Sequence, residues 1–316
     1  MSGDATSGSY RHSRGATIFE EHRTHLLGVA YRLTGSLADA EDAVQETWLR
    51  LARLSDADRA AIRDPRGWLT TVIGRLCLDR LRSAAVARER YVGSWLPEPL
   101  LTELDGAAPD PLDEVVRDEG VRMAALVVLD QLTPEQRVAF VLHDALSIPF
   151  AEIADVLSCS APAARQHASR ARRIVASADP PARVSLAEQR RFLDAFLAAV
   201  ATGDVQAVVT LLHPDAVMIG DGGGQERTAR RPVRGADKVA RFLLGLLERY
   251  GFGQVAPARM VLVNGDLGML IPPWPGDPEH PTPAAGRVSC FAIRDGRVAA
   301  IYDVVNPDKL TRAFGP

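Results

Sequence analysis

Apolar residues in the first half of the chain recur every three or four positions, the period of α-helices buried along one side. Phe19, Leu26, Leu27, Ala30 and Leu33 predict a helix over 17–33, ended by Gly35. Ser36 can cap a second, over 37–54, with Leu37, Ala40, Val44, Thr47, Leu51 and Leu54 turned inward. A third follows Asp64-Pro65 and carries Trp68, Leu69, Val72, Ile73, Leu76 and Leu81. Residues 86–119 break the period with Gly93, Pro97, Pro99, Gly106, Pro109 and Pro111 among many carboxylates, the composition of a linker. A helix over 119–131 leads into 132–173, where three helices are packed into a short stretch. Thr133 caps the first, with Pro134 at its first position and Gln136 three residues past the cap. Val138, Val141, Leu142 and Leu146 form its stripe. The second, over 150–157, buries Ile153, Ala154 and Leu157, and Ser158-Cys159-Ser160 turns into the third. There Ala164, Ala168, Ala171 and Val175 make a slim apolar stripe. The stretch reads as a helix-turn-helix.

Past Asp179-Pro180-Pro181 the period changes. An amphipathic helix over 186–202 and another from Gly203-Asp204 to Leu212 precede a short strand over 216–219. Asp221 to Gln225 make a glycine loop, and a helix spans 235–250. Strand-like runs follow at 258–263, 268–271, 287–293 and 297–305, with Asp266 and Asp295-Gly296 marking hairpin turns. A meander of antiparallel strands after helices gives a curved sheet with helices across it. The expected fold is multidomain: two all-α domains, then an α+β domain. The expected parts are a disordered tail (1–15), a helical bundle (16–85), an acidic linker (86–119), the helix-turn-helix domain (120–178) and the α+β domain (183–316).

Length and composition agree with this division: 316 residues, 47% hydrophobic and 24% charged, are those of a globular chain of two or three domains. Cys77, Cys159 and Cys290 stand far apart, with neither metal-ligand nor redox spacing, so reduced thiols in a cytoplasmic protein are expected, with no metal or cofactor. Residues 1–15 have no apolar core of a signal peptide, and no run is long enough to span a bilayer.

A net charge of −3 would suit a DNA binder poorly were the basic residues not segregated. The polar face of the last helix in 132–173 presents Arg165, Gln166, Ser169, Arg170, Arg172 and Arg173. Small residues inside with guanidinium and amide groups outside suit a helix entering the major groove; the plainer reading is a solvated basic helix. The helix after Pro65 carries Arg66, Arg75, Arg80 and Arg82 beside Trp68, Thr70 and Thr71. It could hold a separated strand, phosphates on arginine and bases against Trp68, although a lone tryptophan is more often core. Asp39, Glu41, Asp42, Gln45 and Glu46 crowd the start of the 37–54 helix, where the dipole favours negative charge anyway. In the linker, Trp95-Leu96-Pro97-Glu98-Pro99-Leu100 is too apolar to be left in water and is expected to dock.

Taken in order, residues 16–176 resemble a bacterial extracytoplasmic-function sigma factor. DAEDAVQETWLRL resembles the helix with which sigma region two binds the clamp helices of the largest subunit of RNA polymerase, which implies that role for Asp39, Glu41, Asp42, Gln45 and Glu46. WLTTVIGRLCLDRLRS resembles the adjoining helix that melts and reads the minus-ten element, with Asp79 and Arg82 at the family's D-x-x-R spacing and Trp68 and Arg75 alongside. LTPEQRVAF through SRARR resembles region four, which reads the minus-thirty-five element and meets the polymerase flap. The resemblance implies DNA contacts for Arg165, Gln166, Ser169, Arg170 and Arg173.

Residues 183–316 resemble a SnoaL-like domain, as fused to one group of these sigma factors. That group's motifs stand here as WLPEP (Trp95, Leu96, Pro97, Glu98, Pro99), DGGG (Asp221, Gly222, Gly223, Gly224) and NPDKL (Asn306, Pro307, Asp308, Lys309, Leu310); Gln225 replaces the basic residue usual after DGGG. The resemblance implies a built-in regulator touching the linker, and WLPEPL is expected to dock near the other two motifs. His213, Asp221, Tyr302 and Asp303 are the catalytic candidates of a SnoaL-like cone, but they stand in no spacing that demands catalysis, so no enzyme is expected. A small-molecule ligand in the cone fits better. The rival readings are a ligand-sensing one-component DNA-binding regulator and a cyclase-like enzyme with a DNA-binding tail.

Overall fold

The computed structural model describes residues 5–88, 90–104, 115 and 119–314. Asp105, Asp110, Asp113 and Glu114 of the expected linker lie outside the described residues, as do residues 1–4 of the expected tail. The chain divides into two compact units. One comprises Met1–Val86, Pro111–Val121 and Val128–Ala178; the other comprises Ala87–Asp110, Arg122–Val127 and Asp179–Pro316.

The first unit is helical. Helix α1 runs Ala5–Thr34, starting inside the stretch expected to be irregular, with no proline before Pro65 to stop it. Ser36 accepts from the Asp39 amide at 3.2 Å and starts α2, Leu37–Ala52. A short α3, Asp56–Ala61, which the periodicity did not reveal, is capped by Ser55. Helix α4 spans Pro65–Arg88. The expected 119–131 helix is instead a 3-10 turn, Glu119–Val121, followed by α5, Met123–Leu129. Helix α6, Pro134–Phe140, has the capping box of Thr133 and Gln136 and runs into a π-helical turn, Val141–Ala145. Helix α7 is Phe150–Leu157; Ser158, in the left-handed region at φ 54°, turns the chain into α8, Ala161–Ala178.

Ala164, Ala168 and Ala171 have no exposed surface, so α8 packs closely against α6 and α7. Gly74 of α4 serves a similar purpose: a Cβ there would stand 3.4 Å from both Leu142 and Val156, so α4 lies directly on the helix-turn-helix. Arg137, 1% exposed, is satisfied where α6 meets the end of α1. Its guanidinium donates to the Arg32 carbonyl near the end of α1 (3.1 Å from Nη2) and to Asp130 (3.4 Å). A buried cation between a carboxylate and the negative end of a helix keeps its partners.

The second unit is built on a mixed seven-stranded sheet in the order β1-β4-β5-β6-β7-β2-β3. These strands are Leu101–Thr102 (β1), Leu212–Asp221 (β2), Val233–Arg234 (β3), Arg259–Val263 (β4), Asp266–Ile271 (β5), Arg287–Arg294 (β6) and Arg297–Val304 (β7). Strands β4 to β7 form the expected antiparallel meander, but β2 joins β7 in parallel. The β4–β5 turn is Asn264-Gly265, both at positive φ (54° and 79°), rather than Asp266. Asp266 is instead the buried first residue of β5, and it takes Arg122 at 2.8 Å, Arg183 at 3.2 Å and Gln189 at 3.0 Å.

Each face of the sheet has its own core. Helices α9 (Leu186–Thr202), α10 (Val205–Leu211) and α11 (Ala236–Tyr250) cover one face, meeting Met218, Met269, Phe291 and Ile301 with Leu193, Phe196, Val208 and Val239. Leu96 from the linker and Met123 from α5 cover the other, with Val261, Tyr302, Val304 and Leu310. Full burial of Leu96 alone is worth roughly 1.5–3 kcal/mol.

Candidate functional site

In the first unit, Arg165, Gln166, Ser169, Arg170 and Arg173 are all exposed along one side of α8, opposite the buried alanines. Ser160 caps this helix through the Ala163 amide at 3.3 Å, and Arg172 is held by Asp144 at 2.6 Å. That leaves a flat polar face on a helix anchored by its own neighbours. On α2, Asp39, Glu41, Asp42 and Gln45 are exposed and Glu46 partly so, with Leu49 exposed beside them. Val44, Thr47 and Leu51 are buried behind that face.

The α4 candidates are arranged differently. Trp68 is half-buried in a hollow with Ile18, Leu51, Ile62 and Pro65. Arg75 donates to the Asp155 carbonyl of α7 at 3.1 Å, and Arg82 pairs with Glu135 of α6 at 3.1 Å, with Asp79 at 4.0 Å. Two of the arginines expected to hold a DNA strand thus face the helix-turn-helix in this structure. The Glu135 carboxyl is held below its usual range; burial opposes that shift, but a backbone hydrogen bond and Arg82 outweigh it.

In the second unit the structure brings WLPEP, DGGG and NPDKL together around one carboxylate. Asp221, with no exposed surface, is the last residue of β2. Its Oδ2 accepts the Leu96 amide at 2.8 Å and the Lys309 ammonium at 2.6 Å. Its Oδ1 accepts the Tyr91 hydroxyl at 2.5 Å and the Gly223 amide at 3.1 Å. Lys309 also donates to the Leu96 carbonyl, and its ammonium lies 4.0 Å from the Trp95 ring, whose other cation neighbour is Arg88 at 3.7 Å. Asn306 donates to the Tyr91 hydroxyl at 2.9 Å. Burial, then the hydrogen bond to Asp221, pushes the Tyr91 phenol above its ordinary range, so it stays a donor.

Two glycines show why the loop has no side chains. A Cβ on Gly222 would stand 2.3 Å from the Glu226 carbonyl, and one on Gly223, at φ 62°, would meet Asn306 at 2.6 Å. Gln225 donates its side-chain amide to the Asp308 carboxylate at 2.9 Å, a hydrogen bond rather than an ion pair. Pro97, Pro99 and Leu310 are buried in the same seam and Glu98 is partly so; Pro307 is exposed.

Three further parts of this dock were absent from the expectations. Tyr91 has no motif to mark it. Asn264 bonds both polar groups of Leu100, accepting its amide at 3.1 Å and donating to its carbonyl at 2.8 Å. Strand β1 extends the linker along β4, with Leu101 opposite Val263 and Thr102 opposite Leu262. Of the catalytic candidates, Asp221 is consumed by the clamp and Tyr302 lies in the linker-side core, while His213 caps the Asp215 amide at 3.2 Å. Asp303 faces the opposite side of the sheet. Among the described residues no three metal-ligating side chains cluster, and no helix is long and apolar enough to cross a membrane.

The Sigma-70 region 2 family matches residues 18–86, Sigma-70 region 4 matches 122–175, and the SnoaL-like domain matches 193–301. The ECF RNA polymerase sigma factor SigJ of Mycobacterium tuberculosis is 52% identical over 300 residues, 93% of this chain and 92% of that protein. This chain belongs to the ECF sigma factors. A crystal structure of SigJ from the same organism superposes with a TM-score of 0.79 at 49% identity, covering 94% of this chain and 98% of that one. The probable ECF sigma factor SigI of Mycobacterium tuberculosis is 33% identical over 306 residues, 95% of this chain and 96% of that protein. This ECF sigma factor thus has both sigma-70 regions and a fused SnoaL-like domain, the architecture expected from the sequence. The family is one of transcription initiation factors rather than enzymes.

Proposed function

We propose that this chain binds core RNA polymerase in the cytoplasm, directs it to promoters, and is modulated by its own C-terminal domain. In this reading Asp39, Glu41, Asp42, Gln45 and Glu46 meet the clamp helices, and region four meets the flap. Arg165, Gln166, Ser169, Arg170 and Arg173 contact the minus-thirty-five element, reading base edges and holding phosphates. Trp68, Arg75, Asp79 and Arg82 handle the minus-ten element. The observation that supports promoter reading best is the wholly exposed polar face of α8 over its buried alanine stripe.

The two elements lie about 25 base pairs apart, ~85 Å along the duplex. Helices α4 and α8 cannot reach both while Arg75 and Arg82 bond to the helix-turn-helix, so promoter binding requires that unit to open. The Asp221–Lys309 clamp supports the regulatory part of the proposal. It takes up the linker between regions two and four, shortening the chain available for separation. The C-terminal domain acts through that restraint and not by catalysis.

Run-off transcription with core polymerase tests the reading. A cognate promoter should be transcribed only when this chain is added. DNA binding without initiation would sink the proposal and favour a one-component regulator.

A further inference from the structure

Beneath α9 and α11 the sheet borders a cavity of about 90 Å³, lined largely by Phe196, Met218, Leu243, Met269, Phe291 and Ile301. At about 10–15 Å³ per water-sized position, that is room for roughly six to nine non-hydrogen atoms. Polar groups from β6, β7 and the 3-10 turn Phe252–Gln254 also line it. Asp303, 1% exposed, accepts the Ser289 hydroxyl at 2.8 Å and faces the Arg287 guanidinium at 3.5 Å. Arg287 is 6% exposed and Gln254 is 4% exposed. The Arg287 Nε–H and the Gln254 Oε1 find no hydrogen-bond partner among the described residues.

An orphan donor and an orphan acceptor beside one apolar cavity are uncommon, because buried polar groups are ordinarily paired. Arg287 and Asp303 already neutralise each other, so an added charge would be buried without a counter-ion. The fitting molecule is uncharged, apolar in its body, and carries one group that both accepts and donates. A hydroxyl on a ring meets all three conditions within the available volume.

We propose that this cavity binds a small uncharged phenol-type ligand, its ring among the aromatic and methionine side chains and its hydroxyl between Arg287 Nε and Gln254 Oε1. Thr228 links this seat to the linker clamp: its hydroxyl lies 3.5 Å from Asp303, and it fills the space beside Gly220, the residue before Asp221. Occupancy would therefore bear on the strand end that holds the linker, an effect that rests on the regulatory reading above; binding itself does not.

The test titrates the full chain with phenol, benzene and benzoate, using saturation-transfer NMR and thermal shift. Saturable phenol binding is expected, with benzene about tenfold weaker for want of the hydrogen bonds, and benzoate excluded by its charge. Leu246→Trp, which fills the cavity from α11, should abolish the phenol signal while leaving cooperative unfolding. Failure of phenol to bind, equal affinity for phenol and benzene, or phenol binding undiminished in Leu246→Trp would overturn the proposal. The comparison of the three probes needs no variant, and all readouts are independent of transcription.

Discussion

Asp221 and Lys309 form a buried pair at 2.6 Å, with side-chain exposures of 0% and 12%, between the last residue of β2 and the C-terminal NPDKL motif. The pair has no loose member: the carboxylate also takes the Leu96 amide and the Tyr91 hydroxyl, and the ammonium lies against Trp95. Breaking a buried pair by removing one partner leaves the other charge uncompensated. Asp221→Ala is therefore expected to destabilise the second unit by about 3–5 kcal/mol. Asp221→Asn, which keeps an acceptor, should cost less. Urea unfolding of the full chain measures both, and equal unfolding midpoints for the wild type and Asp221→Ala would contradict the assignment.

Trp95 supplies the apolar and cation–π part of the same dock, between Lys309 at 4.0 Å and Arg88 at 3.7 Å. Trp95→Ala should weaken docking by about 1–2 kcal/mol and alter promoter output in the full-length protein. In a chain ending near Asp179 the same change should leave output unaltered. An equal effect in both would show that Trp95 acts elsewhere.

On α8, Arg165→Ala and Gln166→Ala should each weaken binding to a cognate minus-thirty-five element by about 1–3 kcal/mol and relax sequence preference at one position. Arg173→Ala should instead weaken all sequences alike and lower the salt slope by about 1. Fluorescence anisotropy of the holoenzyme on cognate and scrambled DNA at several salt concentrations separates the two behaviours.

His25 predicts a pH dependence in the first unit. Its Nε2 lies 3.3 Å from Thr70 Oγ1, whose own proton goes to the Arg66 carbonyl, and its Nδ1 faces Arg66 Nη2 at 3.4 Å. The ring therefore donates from Nε2 and accepts at Nδ1, which is the neutral form. Burial first, then Arg66, lowers its pKa from 6.5 to about 4. Between those values the unfolded chain binds a proton that the folded chain does not. Stability is thus full above 6.5 and is lost as pH falls toward 4, on the order of 1 kcal/mol by pH 5 after discounting for partial exposure. His25→Gln should flatten that slope in denaturant melts; an unchanged slope would assign the pH dependence to other groups.

Local chemistry was readable along the chain, and so was the docking of WLPEPL beside DGGG and NPDKL; the other partnerships across the chain were not. The capping box of Thr133 and Gln136, the 150–157 helix and the alanine stripe of α8 follow from residues within a few positions of each other. Strand β1 has two residues and exists only because β4 pairs with it. The alternation of β2 shows a strand but carries no sign of direction, so its parallel pairing with β7 was invisible. Asp266 looked like a turn residue because it follows Asn-Gly; its burial is decided by Arg122 and by Arg183 and Gln189, which come from distant segments. Arg75 and Arg82 looked like any exposed basic pair, because the groups that occupy them lie 80 and 53 residues away.

Strand β1 also decides where this protein can be cut. It covers the outer edge of β4, a row of backbone groups that would otherwise be open to any passing strand. A fragment begun at the SnoaL-like homology would lack β1, Leu96 and Tyr91 together, leaving bare an edge and an apolar face and removing two of the donors to the Asp221 carboxylate. Such a fragment is a template for self-association and not a freestanding module. The portable cassette, for grafting onto another sigma factor, starts upstream of Tyr91.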